Sequence, residues 1–156
     1  MYQRILVPID GSSTANRGVD EAIRLARLAG AKVRLLHVLD ELIFVTGFES
    51  GSTYAGDVLP MLQRAAQEVI AAGSARVAAA GVAMDSKIVE CFGRRASDVI
   101  IEEAETWPAD LIVLGTHGRR GIGRALLGSD AEQIARLAPV PVLLVRSSEA
   151  VKRARA

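Results

Sequence analysis

The sequence has a single cysteine, Cys91, so no disulfide can form within the chain, and a reducing, cytoplasmic setting is expected. Aromatic residues make up only 4% of the chain, against 50% hydrophobic residues in all, so the core must be assembled from Val, Ile, Leu and Ala. No apolar run approaches the length of a membrane span. The start, Met1-Tyr2-Gln3-Arg4-Ile5, leads straight into a strand pattern and lacks the apolar core of a signal peptide. An excess of one charge is also missing. The 19 Lys+Arg face 18 Asp+Glu, a net charge of +1, which gives no global attraction to nucleic acid or to acidic membranes. A length of 156 residues predicts one domain, large enough to bury a core without staples.

What the chain does have is a regular alternation of short apolar runs and helical patterns. Strands are expected over 5–9, 33–39, 82–92, 111–114 and 140–145, the last with Pro141 inside it. The first helix follows the caps Ser12, Ser13 and Thr14 and stops at Gly30, with Asp20 and Arg24 spaced as an i,i+4 pair. A long Ala-rich helix is expected over 57–80 and stops at Gly81. Two shorter helices are expected over 97–107, with Glu102, Glu103 and Glu105 in solvent, and over 129–138. Residues 40–56 are rich in Gly, Ser and Thr and predict a long loop, while 147–156 read as a frayed basic tail behind a single domain over 1–146. This alternation predicts an α/β fold, a doubly wound parallel sheet with helices on both faces.

Ligands of such sheets bind outside the carboxyl ends of the strands, where the strand order reverses. Two strand ends carry suitable chemistry. The first ends in Pro8-Ile9-Asp10-Gly11, and Asp10 there is either an acceptor for a ribose hydroxyl or plain turn chemistry. The fourth runs into Gly115-Thr116-His117-Gly118-Arg119-Arg120-Gly121-Ile122-Gly123-Arg124-Ala125-Leu126-Leu127-Gly128-Ser129-Asp130. Glycines let backbone N–H groups approach an anion, and the stretch ends at a helix start, where unpaired N–H groups favour phosphate. It contains three arginines and no acid before Asp130, so a small positive site sits on a mildly negative body. Ser129-Asp130-Ala131-Glu132 matches the capping box, which makes Ser129 a helix cap first and a phosphate ligand second. A Walker loop is excluded, because no Lys follows a glycine. The dinucleotide fingerprint is excluded too, because Leu126 stands at its last glycine.

The spacing of Gly115, Gly118, Gly128 and Ser129 resembles the G-2x-G-9x-G-[ST] signature of the universal stress protein family, in its ATP-binding branch. Ile5-Leu6-Val7-Pro8-Ile9-Asp10-Gly11-Ser12, His37-Val38 and Ala138-Pro139-Val140-Pro141-Val142-Leu143-Leu144-Val145-Arg146 are similar to its first strand, the end of its second strand and its closing segment. The resemblance implies a five-stranded parallel, Rossmann-like sheet in the order 3-2-1-4-5 and a homodimer that pairs through the last strand. It implies ATP as cofactor. Pro8, Ile9 and the backbone of Val38 would border the adenine. Asp10 and Gly115 would hold the ribose. His117, Gly118, Arg119, Gly128, Ser129 and the backbone of Asp130 would surround the phosphates. Asp130 departs from the apolar residue many ATP-binding members have there, and its carboxylate repels phosphate unless it coordinates Mg²⁺ or turns to solvent. His37 is expected to be a satisfied, partly buried histidine, and Cys91 a structural one.

Phosphoryl transfer needs a positioned nucleophile, a metal and charge stabilisation. The sequence offers arginines and Asp130 but no separate carboxylate or histidine pair placed to activate water. The expected function is therefore a nucleotide-dependent regulator or sensor of the stress response with little or no turnover, read by an unidentified protein partner. A slow ATPase or autokinase is the alternative, and a nucleotide-free dimeric scaffold the second. Neither nucleic acid nor a membrane is expected as a partner.

Overall fold

The computed structural model describes residues 1–39, 58–116 and 128–146. The expected loop over 40–56 and the tail over 147–156 lie outside these residues. Five strands form one parallel sheet: β1 (Arg4–Pro8), β2 (Lys32–Leu39), β3 (Met84–Glu90), β4 (Leu111–Gly115) and β5 (Val142–Val145). Their order is β3-β2-β1-β4-β5, so the chain winds outward from β1 in one direction and then crosses to the other side at β4. Helices α1 (Ser13–Ala29), α2 (Leu59–Ala79), α3 (Ala96–Thr106) and α4 (Ser129–Leu137) make the crossovers.

Apolar side chains fill both faces, as a sheet covered twice requires. Ile5, Val7, Val33, Leu35 and Val113 pack under α1 and α2, with Val19, Ala22 and Val77 coming down from the helices. Leu6, Leu36, Ile112 and Leu114 pack on the other face, with Ile100, Ala104, Ala131 and Ile134. The branched aliphatic core expected from the scarcity of aromatics is what forms.

Local chemistry sets most helix ends. Ser12 caps α1, its hydroxyl accepting the Ala15 N–H at 3.1 Å, and Gly30 closes the helix at φ 67°. Gly81, at φ +69°, follows the end of α2 in the same left-handed conformation. Other expectations needed correction. Pro141 does not interrupt β5 but precedes it, leaving its carbonyl to accept the Ile112 N–H. Asp20 and Arg24 do not pair with each other: Arg24 binds Glu21, and Asp20 binds Arg76 of α2. Glu103 is not solvated. It is 4% exposed and bridges Arg34 of β2 and Lys87 of β3 at 2.9 and 2.6 Å. Asp85 takes Arg34 from the other side, and the Arg34 guanidinium carbon lies 4.6 Å from the centre of the Trp107 ring. The sequence-level reading placed Glu103 on the polar face of its own helix and had no view of cations arriving from two strands.

Candidate functional site

The order of the sheet reverses between β1 and β4, which are hydrogen-bonded neighbours. Their carboxyl ends therefore lie side by side at the place where such sheets form a crevice, and Pro8–Asp10 and Gly115–Thr116, from the two stretches singled out in the sequence, stand there. On the β1 side, Pro8 and Asp10 are half-buried and Ile9 is 5% exposed. Asp10 folds back, its Oδ1 accepting the Ser12 N–H at 2.9 Å, and Gly11 turns the chain at φ 81°. This is the turn chemistry expected of Asp-Gly, and it holds the carboxylate just past the carboxyl end of β1. His37, 9% exposed, closes the turn from β2, because its Nδ1 lies 2.8 Å from the Ile9 carbonyl. Val38 is the next residue of β2 and is half-buried.

On the β4 side, Gly115 has a role the sequence did not announce. A Cβ built on it would stand 2.7 Å from the carbonyl carbon of Thr14 and 2.8 Å from its oxygen. Only glycine lets the end of β4 touch the first turn of α1 this closely. Beyond it, the Thr116 N–H bonds the Val145 carbonyl of β5 at 3.0 Å, and the Thr116 carbonyl accepts the Gly128 N–H at 2.9 Å. The two ends of the intervening stretch are thus tied together. His117, Gly118 and Arg119 lie outside the described residues.

The start of α4 corrects the reading of Ser129. Gly128 is the N-cap, its carbonyl accepting the Glu132 N–H at 2.8 Å, and Ser129 is the first helical residue. The bond from Gly128 to Thr116 fixes the helix start one residue early and displaces the capping box. Ser129 and Asp130 are both exposed in the first turn. The Gly128–Thr116 bond sets the start of α4 beside the carboxyl end of β4, and a helix start is the end that favours an anion. Asp130 and Glu132 place two carboxylates in this same turn, which opposes an anion unless a cation intervenes. Among the described residues, no three His, Cys, Asp or Glu side chains converge on a common metal position. Cys91 is buried at the end of β3, its N–H on the Leu39 carbonyl. No described helix is long and apolar enough to cross a membrane.

A profile of the universal stress protein family matches residues 1–146. The universal stress protein MJ0531 of Methanocaldococcus jannaschii is 34% identical over 146 residues, which span 94% of this chain and 83% of that protein. The solved structure of the hypothetical protein MJ0577 is 26% identical, superimposes with a TM-score of 0.83, and is covered over 95% of this chain and 98% of its own. The universal stress protein of Archaeoglobus fulgidus in complex with dAMP is 25% identical, with a TM-score of 0.66 and coverage of 92% and 98%. With the sheet order, the paired ends of β1 and β4 and this match over nearly its full length, the chain belongs to the universal stress protein family.

Proposed function

We propose that this chain is a regulator or sensor of the stress response that binds an adenine nucleotide, ATP foremost, with little or no turnover. The observation that carries the reading is the tie between Thr116 and Gly128, which sets the N-terminus of α4 beside the carboxyl ends of β1 and β4. A relative that binds dAMP supports adenine as the base. The fit is chemical as well. Gly128 offers a helix start without a side chain, where an added Cβ would lie 3.3 Å from the Thr116 carbonyl. In this reading the phosphates lie on the backbone N–H groups of Ser129 and Asp130 and on Gly118. The ribose lies between Asp10 and Gly115, and the base between Pro8, Ile9 and the Val38 backbone. Arg119 supplies positive charge and His117 a hydrogen-bond donor. Mg²⁺, carried in by the nucleotide and held by Asp130, would offset the acid in that turn.

The bound state alters which protein partner the chain engages, and the protein works as a homodimer in the cytoplasm. Strand β5 supports the dimer: all four of its residues are apolar and half-buried, and no described strand covers its outer edge. Asp130 is the one feature that favours slow ATP hydrolysis as a second reading.

Differential scanning calorimetry tests the proposal. ATP with Mg²⁺ at ~100 times its Kd adds ~2.7 kcal/mol. For a domain of this size that is a rise in Tm of roughly 5–11 °C. Gly118→Val should abolish the rise while leaving the Tm of the free protein in place. No rise with ATP, ADP or AMP, and no nucleotide released from the purified protein, overturns the reading. Phosphate release that persists in purified protein and drops in Asp130→Ala would move the assignment to the slow ATPase.

A further inference from the structure

In a parallel pair, one strand's residues turn their N–H and C=O alternately to the neighbours on either side. In β2 the even-numbered residues turn toward β1. The Lys32 N–H bonds the Gln3 carbonyl at 2.8 Å, and the Leu36 carbonyl accepts the Ile9 N–H at 2.8 Å. The odd-numbered residues turn toward β3: the Val33 N–H bonds Ala83 at 2.9 Å, and the Leu39 carbonyl accepts the Cys91 N–H at 3.1 Å. The next rung on the β1 side would run from the Val38 N–H to the Ile9 carbonyl. Among the described residues that rung is not made. The Ile9 carbonyl meets Nδ1 of His37 instead, at 2.8 Å. A carbonyl oxygen has no proton to give, so Nδ1 must be the donor.

We propose that His37 is the positioning residue of the nucleotide site: its imidazole takes over the last rung of the β1–β2 ladder and so leaves the Val38 N–H facing the crevice for a ligand. The idea rests on the nucleotide reading for the identity of the ligand, but not for the geometry. Without the imidazole, the Ile9 carbonyl would turn to the Val38 amide and the ladder would zip one residue further. The backbone edge that reads a heteroaromatic base, with a donor and an acceptor on one residue, would then be spent inside the sheet. With the imidazole in place, Ile9 is still held on both sides by β2, so Asp10 keeps its position while Val38 stays available. The ligand class is a planar base with adjacent hydrogen-bond acceptor and donor, attached to a sugar that reaches Asp10.

Amide hydrogen exchange by NMR tests the geometry without any ligand. In the free wild-type protein the Val38 N–H should exchange at least ten times faster than the Leu36 N–H. In His37→Leu it should slow at least tenfold as the rung closes. His37→Asn sets a side-chain N–H at the place of Nδ1 and should keep Val38 exchange fast. A second measurement titrates AMP and, separately, inorganic tripolyphosphate, which engages only the phosphate end. His37→Leu should weaken AMP at least tenfold and leave tripolyphosphate unchanged, with His37→Asn within about threefold of wild type for both. A Val38 amide as protected as Leu36 in the free wild type overturns the inference, as does a His37→Leu variant that folds and binds AMP normally. Equal losses for AMP and tripolyphosphate, not rescued by Asn, would reduce His37 to a general structural role. A wild type that takes up no AMP overturns the nucleotide reading, while the exchange result still decides the role of His37.

Discussion

Strand β3 closes one edge of the sheet and β5 the other, and the two carry opposite chemistry. Along β3, Asp85 holds Lys32 and Arg34, Lys87 reaches Glu103, and Glu90 accepts a bond from Gln63 of α2 at 2.8 Å. Along β5 there is no charge, and each of Val142, Leu143, Leu144 and Val145 is half-buried. Charged residues on an edge discourage pairing with another chain, whereas an apolar edge invites it. The difference assigns the edges separate duties. β3 is tied inward by ion pairs that also anchor α3, and the apolar edge of β5 is the one on which the proposed dimer rests.

The largest break in this comparison should come from Glu103→Ala. It removes the shared acceptor of Arg34 and Lys87 beneath α3 and leaves the Arg34 guanidinium, only 21% exposed, with half its partners. The expected loss is about 3 kcal/mol in urea denaturation. Next comes Leu144→Pro. Odd residues of β5 bond β4, as the Thr116–Val145 and Ile112–Pro141 bonds show, so the Leu144 N–H points outward. Proline there removes an outward donor and keeps the β4 ladder. Sedimentation should show a monomer, and the isolated protomer should lose about 1–2 kcal/mol with the half-buried Leu144 side chain that packs on the Leu114 face; a dimer that survives would move the proposed interface off β5. Asp85→Asn is smaller and depends on pH. The Arg34 guanidinium holds the Asp85 carboxyl below its ordinary range, so its contribution is fully present above roughly pH 4 and fades as pH falls through the lowered value. The stability gap between wild type and variant should therefore shrink below that pH. Lys87→Ala should do least, ~0–1 kcal/mol, because its side chain is 48% exposed.

The sequence made some of this legible and hid the rest for physical reasons. Gly30 and Gly81 announced their helix ends because a left-handed cap is a local requirement. The sheet order came from the resemblance, while the presence of a parallel sheet followed from apolar runs with no alternation. Ser129 was misread because its four-residue pattern competes with a bond from Gly128 to Thr116 that no local pattern contains. Glu103 was misread because its partners lie 69 and 16 residues away. Gly115 was chosen for a ligand, and its contact with Thr14 supplies a second reason that only the folded chain reveals. At the candidate site, Asp10, Gly128 and Ser129 could be singled out from the strand ends and the glycine stretch, while Pro8 and Val38 came from the family resemblance. The imidazole that stands in for a backbone amide could not, because His37 is a helpful residue only once the end of β1 is known.

The bond between Thr116 and Gly128 also says something about how such a protein can vary. Bringing together two points this far apart in the chain costs roughly 2 kcal/mol of chain entropy, and here the scaffold meets that cost at a fixed pair of backbone atoms. Whatever lies between them leaves β4 and returns to α4 through the same doorway.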